Sequence, residues 1–384
     1  MKRYLYLFVL VLVGFVTSLT PAKAIDTRAQ FALLMDAETG IVLYEKNADV
    51  LMSPASMSKL MTVLMVFEAL EENRISLDET FRVSDDAWRR GGSKSGSSTM
   101  FLNARSDVSV ENLLRGVIIQ SGNDASIALA EGLGGSEEAF ANMMTDRAID
   151  LGMMNSTFRN STGWPDPEHK TTARDLAILS RHMINDFPDY YGMFAERSFT
   201  WNGIKQSNRN PLLYANIGAD GLKTGHTEES GYGLVASAEQ NGRRLILVIN
   251  GLAEKRDRAR EASKLMNWGF RAFSFDTLVN AGDEIMRVPV WQGEFSTVGL
   301  TTEKDFKVLL PHRGKRRMVV TATYDKPLMA PVEKGSVVGT LRMTVPGLPG
   351  AETQEVPLVT NATIKREGLF GRSLTALGHL LFGD

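Results

Sequence analysis

Pro54-Ala55-Ser56-Met57-Ser58-Lys59-Leu60-Met61-Thr62-Val63-Leu64-Met65-Val66-Phe67-Glu68-Ala69-Leu70 is the run on which the reading of this chain turns. Met57 to Leu70 is apolar at helical spacing and nearly all round, as in a helix buried on every side. Pro54 marks the chain's entry into it. At its start stands Ser56-Met57-Ser58-Lys59, and a spacing of i, i+3 puts the serine and the lysine on one helix face. A lysine can take a serine's proton only when neutral. Burial and a second nearby cation both depress a lysine pKa, so this chemistry needs a dry pocket that holds another positive group. The N–H groups at a helix N-terminus also face the serine and stabilise a developing oxyanion. Taken alone the motif is weak, since about one Ser-x-x-Lys arises by chance in a chain of this size.

Two further motifs follow it. Ser121-Gly122-Asn123 lies where two helical patterns meet. Its hydroxyl can relay a proton, and its amide can hold a substrate amide from both sides. In isolation it reads as a helix N-cap. Lys223-Thr224-Gly225 precedes a strand pattern and continues into His226-Thr227. In isolation it reads as a surface turn with a solvated lysine. Each motif occurs once, in the order helix start, helix junction, strand. Serine–lysine enzymes that are acylated by penicillin carry this set, and the combination is far more specific than its parts.

The rest of the chain supplies a scaffold. Phe31 to Val42 reads as two β-runs broken at Asp36 to Gly40, a hairpin. Helical patterns run over Val110 to Ile119, Ala125 to Leu133, Glu137 to Leu151 and Ala173 to Ile184, the last opened by Thr172 and Asp175 in capping-box spacing. Gly233 to Ala238 and Arg244 to Asn250 alternate as strands around Asn241-Gly242, a strong hairpin signal. A helix ending near Trp268-Gly269-Phe270 closes this region. From about Val279 to Ile364, β-branched runs separated by Gly, Pro and Asp turns indicate a small all-β domain.

The whole is 384 residues, 43% hydrophobic and 23% charged, which suits two globular domains and excludes disordered and fibrous classes. A net charge of −2 gives no reason to expect nucleic acid. The absence of cysteine removes disulfide frameworks, zinc ribbons and thiol nucleophiles. The five histidines show no metal-binding spacing, so no metal site is expected, and acyl transfer by a serine–lysine pair needs no cofactor. Met61, Met65 and the aromatics between the motifs read as core. Lys2 and Arg3, the apolar stretch Tyr4 to Leu19 and Ala22-Lys23-Ala24 make residues 1–24 a signal peptide, so the chain is expected to be exported.

Residues 29 to 270 resemble the D-alanyl-D-alanine carboxypeptidases of the penicillin-binding protein 5 class throughout. The resemblance runs through the nucleophile segment, Ser97 to Leu102, Gln120 to Ala125, Asn208-Arg209-Asn210, Asp220 to Thr227, Gly231-Tyr232, and Arg258 with Glu261 ahead of Trp268. It extends more loosely to the β domain and the C-terminus. One departure is Trp164 in Ser161-Thr162-Gly163-Trp164, where the family more often has leucine. The resemblance implies an α+β chain: a serine β-lactamase/transpeptidase-like domain over 25–277, an antiparallel sheet flanked by helices, then an all-β domain over 278–365. It implies Ser56 as acylated nucleophile, Lys59 as its base and Ser121 as proton shuttle. Asn123 would bind a substrate amide, Lys223 would supply the second positive charge, and Thr224 would bond the terminal carboxylate. The N–H groups of Ser56 and His226 would form the oxyanion hole, with Gly225 between Thr224 and His226 on the substrate strand. Arg209 and Arg258 would lie near the carboxylate, which a guanidinium fork matches. The implied partners are peptidoglycan pentapeptide and β-lactams.

Two rivals stand beside this reading. A β-lactamase on the same fold usually keeps a deacylating Glu in a Glu-x-x-Leu-Asn segment between the second and third motifs, and none is found here. A catalytically silent scaffold is opposed by the intact triplet. A homodimer stays open. In residues 366–384, Phe370, Leu374, Leu377 and Leu381 form one helical stripe opposite Arg372, Thr375 and His379. The segment is too short to span a bilayer, so an amphipathic helix lying on the membrane surface is expected. That would place the enzyme peripherally on the periplasmic side of the inner membrane.

Overall fold

The computed structural model describes residues 25–311, 318–325, 327–345 and 353–368. The expected signal peptide over 1–24 lies outside them. The first domain is built on five antiparallel strands: β1 (Phe31–Asp36), β2 (Val42–Lys46), β3 (Ala219–Thr227), β4 (Gly231–Gln240) and β5 (Arg243–Leu252). Their spatial order is β2-β1-β5-β4-β3, so β3 is an outer edge. The first hairpin turns where Asp36 Oδ1 accepts from the Thr39 N–H at 3.1 Å. The second turns at Asn241 and Gly242, both at positive φ as a type I′ turn requires.

Side chains alternate across this sheet with period two. Leu33, Met35, Val235, Ile246 and Val248 enter one apolar cluster, while Ala32, Leu34, Leu234, Leu245 and Leu247 enter another. Because both faces are covered, β5 reads as an unbroken apolar run, Leu245 to Ile249, rather than as an alternation. On the first face lie α1 (Lys59–Glu71), α2 (Asn123–Gly134), α3 (Glu137–Asp150) and α4 (Ala173–Asp186). On the other lies α5 (Lys255–Ala272), through Ala262, Leu265 and Met266. Eleven of the thirteen residues of α1 are buried, as its all-round apolar sequence requires. At the start of α4 only half of the expected capping box closes. Thr172 Oγ1 accepts from the Asp175 N–H at 3.0 Å, but the Asp175 carboxylate turns to Asn155 N and Ser156 Oγ.

The second domain is all-β among its described residues. Its six-stranded sheet has the order 319–324, 337–344, 353–360, 297–301, 286–291, 328–329. A two-stranded ribbon pairs Phe273–Val279 with Phe306–Pro311. The ribbon's first strand runs across the expected boundary at 277/278. The apolar cluster over α5 continues into this domain through Val288, Val298 and Leu300. At the C-terminal end, Arg366 bridges Gly293 and the Glu367 N–H donates to Gln292 O at 2.9 Å, so the chain is extended there and not helical. The remainder of the expected amphipathic helix, 369–384, lies outside the described residues.

Candidate active site

Ser56 sits in one turn of 3-10 helix, Ala55–Ser58, and Lys59 is the first residue of α1. The sequence places both on one continuous helix. The tighter turn still brings Lys59 Nζ to 3.1 Å from Ser56 Oγ. Ser56 remains accessible while Lys59 is completely buried. The Lys59 amine also meets Asn123 Oδ1 at 2.7 Å and the Thr162 carbonyl oxygen at 2.5 Å. Burial lowers the Lys59 pKa from its ordinary 10.5 to about 7, with the Arg209 charge adding to the effect. A neutral amine has two N–H bonds and one lone pair. Asn123 and Thr162 accept the two N–H bonds, and the lone pair is left for the Ser56 hydroxyl.

The Ser121 loop holds the opposite wall. The helical pattern expected over Val110 to Ile119 is observed as α-helix over Val110–Arg115, followed by a π-helical turn, Gly116–Gln120. Ser121 then adopts φ +65, a left-handed conformation that a serine rarely takes. Its hydroxyl is buried and, among the described residues, has no hydrogen-bond partner. Strain and an orphaned buried hydroxyl each cost about 1–3 kcal/mol, and both concentrate at functional sites. Next to it, the Asn123 N–H donates to Ser98 O at 2.7 Å and so draws in the Gly/Ser-rich loop.

The third wall is β3. As the outer strand of the sheet it presents an unpaired edge, to which an extended peptide can add. Lys223 and Thr224 are buried, and His226 is exposed. A Cβ on Gly225 would stand 2.9 Å from Pro54 O and 3.0 Å from Met57 Cγ, so only glycine lets the strand approach the Ser56 turn this closely. The Lys223 amine donates to Thr224 O at 3.0 Å. Burial, with Lys59, Arg209 and Arg258 nearby, drives its pKa well below the ordinary lysine value. The Lys223 and Lys59 amines interact as like charges, and Arg209 bears on both. Arg209 is an exposed residue bonded to Ser98 Oγ at 2.6 Å. Arg258 is buried beneath the strand, 3.4 Å from Gly225 O and 5.4 Å from the centre of the Tyr232 ring, which stacks on His226 at 3.9 Å. Among the described residues Lys59, Lys223, Arg209 and Arg258 form no ion pair with a carboxylate. The two guanidiniums, with Lys223 beside them, suit an anionic substrate group.

Three features have no counterpart in the sequence reading. The Thr162 carbonyl that grips Lys59 is a backbone atom and has no residue signature. Asp124 is fully buried and accepts from Thr99 Oγ1 at 2.6 Å, Met100 N at 2.9 Å, Leu102 N at 3.0 Å and Ala125 N at 3.0 Å, which pins the Thr99–Leu102 loop against the second motif. Its position directly after Asn123 was the available signal. His169 is buried against Ser58, at 2.8 Å. No group of His, Asp or Glu side chains among the described residues is placed to hold a metal.

Comparison with known proteins gives the same assignment. Residues 17–253 match the model of the D-alanyl-D-alanine carboxypeptidases, and residues 273–366 match the C-terminal domain of penicillin-binding protein 5. The chain belongs to the D-alanyl-D-alanine carboxypeptidase family. It is 41% identical to D-alanyl-D-alanine carboxypeptidase DacC of Escherichia coli over 354 residues, 91% of this chain and 87% of that one. It is 39% identical to DacA of Haemophilus influenzae over 349 residues, 90% and 87% of the two chains. Penicillin-binding protein 5 from Haemophilus influenzae has a similar structure, with a TM-score of 0.79, 36% identity, and 89% of this chain and 99% of that one covered. Penicillin-binding protein D2 from Listeria monocytogenes, solved with cefotaxime bound, aligns at a TM-score of 0.58 and 32% identity over 64% of this chain and 98% of its own. The carboxypeptidase therefore has the expected α+β fold, with an all-β domain after the enzymatic one.

Proposed function

We propose that this carboxypeptidase removes the terminal D-alanine of peptidoglycan pentapeptide stems through an acyl-enzyme on Ser56. The observation that carries the reading is the 3.1 Å contact between Ser56 Oγ and a buried Lys59 amine whose two N–H bonds already have acceptors. The Ser56 proton passes to Lys59 as Oγ attacks the carbonyl of the penultimate D-alanine. The oxyanion is held by the N–H groups of Ser56 and His226. Proton return through Lys59 and Ser121 lets D-alanine leave as an amine, and water then cleaves the ester to release the tetrapeptide and Ser56. The stem peptide lies along the β3 edge with its amide on Asn123. Thr224 and the cations Arg209, Arg258 and Lys223 receive its terminal carboxylate. Neither metal nor organic cofactor enters any step. Release of D-alanine from a pentapeptide by the wild type, and its loss in Ser56→Ala, tests the reading; release by Ser56→Ala at an undiminished rate refutes it.

β-Lactams enter as mimics of the same substrate and acylate Ser56. The support is the intact triplet and the cefotaxime complex of the Listeria monocytogenes relative. The signal-like residues 1–24 and the amphipathic pattern of 366–384 support an exported enzyme on the periplasmic face of the inner membrane, acting in peptidoglycan maturation and cell shape. Removal of 368–384 is expected to move active enzyme into the soluble fraction. Retention of the truncated enzyme on membranes refutes the anchor.

A further inference from the structure

We propose that His169 and Ser58 act together to aim the Ser56 N–H, one of the two oxyanion donors, and that they are positioning residues for acylation. The proposal rests on the reading of Ser56 as nucleophile. His169 is 1% exposed and lies 111 residues from Ser58 in sequence, yet its Nε2 is 2.8 Å from Ser58 Oγ. The Arg159 N–H donates to His169 Nδ1 at 3.3 Å. An imidazole whose Nδ1 accepts carries its proton on Nε2, so Nε2–H donates to Ser58 Oγ. The Ser58 hydroxyl is thereby left to donate its own proton, and it does so to the Ala55 carbonyl oxygen at 2.9 Å. Burial holds the His169 pKa near 4, which keeps the ring in this neutral form at any pH where the lysine base works.

The target of this relay is the Ala55–Ser56 peptide unit. A trans peptide is planar, with its carbonyl and its N–H pointing in opposite directions. A bond that fixes the Ala55 oxygen therefore also fixes the direction of the Ser56 N–H. This unit needs fixing, because Ala55 has φ +50, a conformation disfavoured for alanine. On its other side the Ala55 oxygen is hemmed in by Gly163, where a Cβ would stand only 1.9 Å away. Strain is thus held at the peptide whose N–H must meet a charge that develops during the reaction.

The test measures acylation by a fluorescent penicillin, separating the dissociation constant of the non-covalent complex from the first-order acylation rate. Ser58→Ala is expected to slow acylation by about tenfold to a hundredfold, less than outright loss of an oxyanion donor, with the dissociation constant within about twofold of wild type. His169→Phe should match it, and His169→Gln, which restores an N–H at similar reach, should recover most of the rate. The double variant Ser58→Ala with His169→Phe should be no slower than Ser58→Ala, because both changes break one chain. Three results overturn the proposal: wild-type acylation by Ser58→Ala, equal rates for His169→Gln and His169→Phe, or multiplied losses in the double variant. The wild type separates this question from the larger one. A wild type that penicillin does not acylate refutes the reading of Ser56, while a wild type and a Ser58→Ala variant that acylate alike refute only the relay.

Discussion

If the neutral Lys59 amine is the base, the acylation rate must follow its deprotonation. With a pKa near 7, about 3% of the amine is neutral at pH 5.5 and about 97% at pH 8.5, so the rate should climb about thirtyfold and then level off. An ordinary lysine at 10.5 would give a rise of about a thousandfold across the same window, with no plateau. The sign follows from the cause: burial disfavours the charged form, the folded pKa falls, and raising the pH through about 7 populates the active amine. Lys59→Arg should be inactive throughout, because a guanidinium keeps its proton in this range. Stopped-flow acylation with a chromogenic cephalosporin between pH 5.5 and 9 measures both. A flat profile, an uninterrupted rise through pH 9, or acylation by Lys59→Arg at more than about a tenth of the wild-type rate refutes the assignment.

Asp124→Ala leaves one hydroxyl and three N–H groups without their buried acceptor, so it should destabilise the first domain by about 3 kcal/mol or more in urea melts. A loss below about 1 kcal/mol would show that the loop does not depend on this carboxylate. A substrate ending in an amide should lose most of its reactivity, and Arg258→Ala should narrow the difference between acid and amide. An unchanged preference in that variant moves the role to Arg209.

What could be read from sequence was local or combinatorial. Ser56 and Lys59 lie three residues apart, and a helix or a tight turn brings them together either way. The hairpin at Asn241-Gly242 and the buried helix α1 follow from backbone chemistry and from periodicity. The approach of Lys223, Thr224 and His226 to Ser56 depends on a sheet edge more than 160 residues away, and was accessible only through the family resemblance. That Arg209 also bears on Lys59 was not legible, because sequence order says nothing about which cations a distant loop brings to the site. The His169–Ser58 contact and the Thr162 carbonyl were invisible for a related reason. One is a long-range pairing of two unremarkable residues, and the other is an atom that every residue carries.

The central claim is a covalent bond at one serine. The wild-type protein incubated with penicillin, digested and mapped by mass spectrometry should carry one penicilloyl adduct, on the peptide containing Ser56, and Ser56→Ala should carry none. An adduct on any other residue, or an unmodified wild type, contradicts the account.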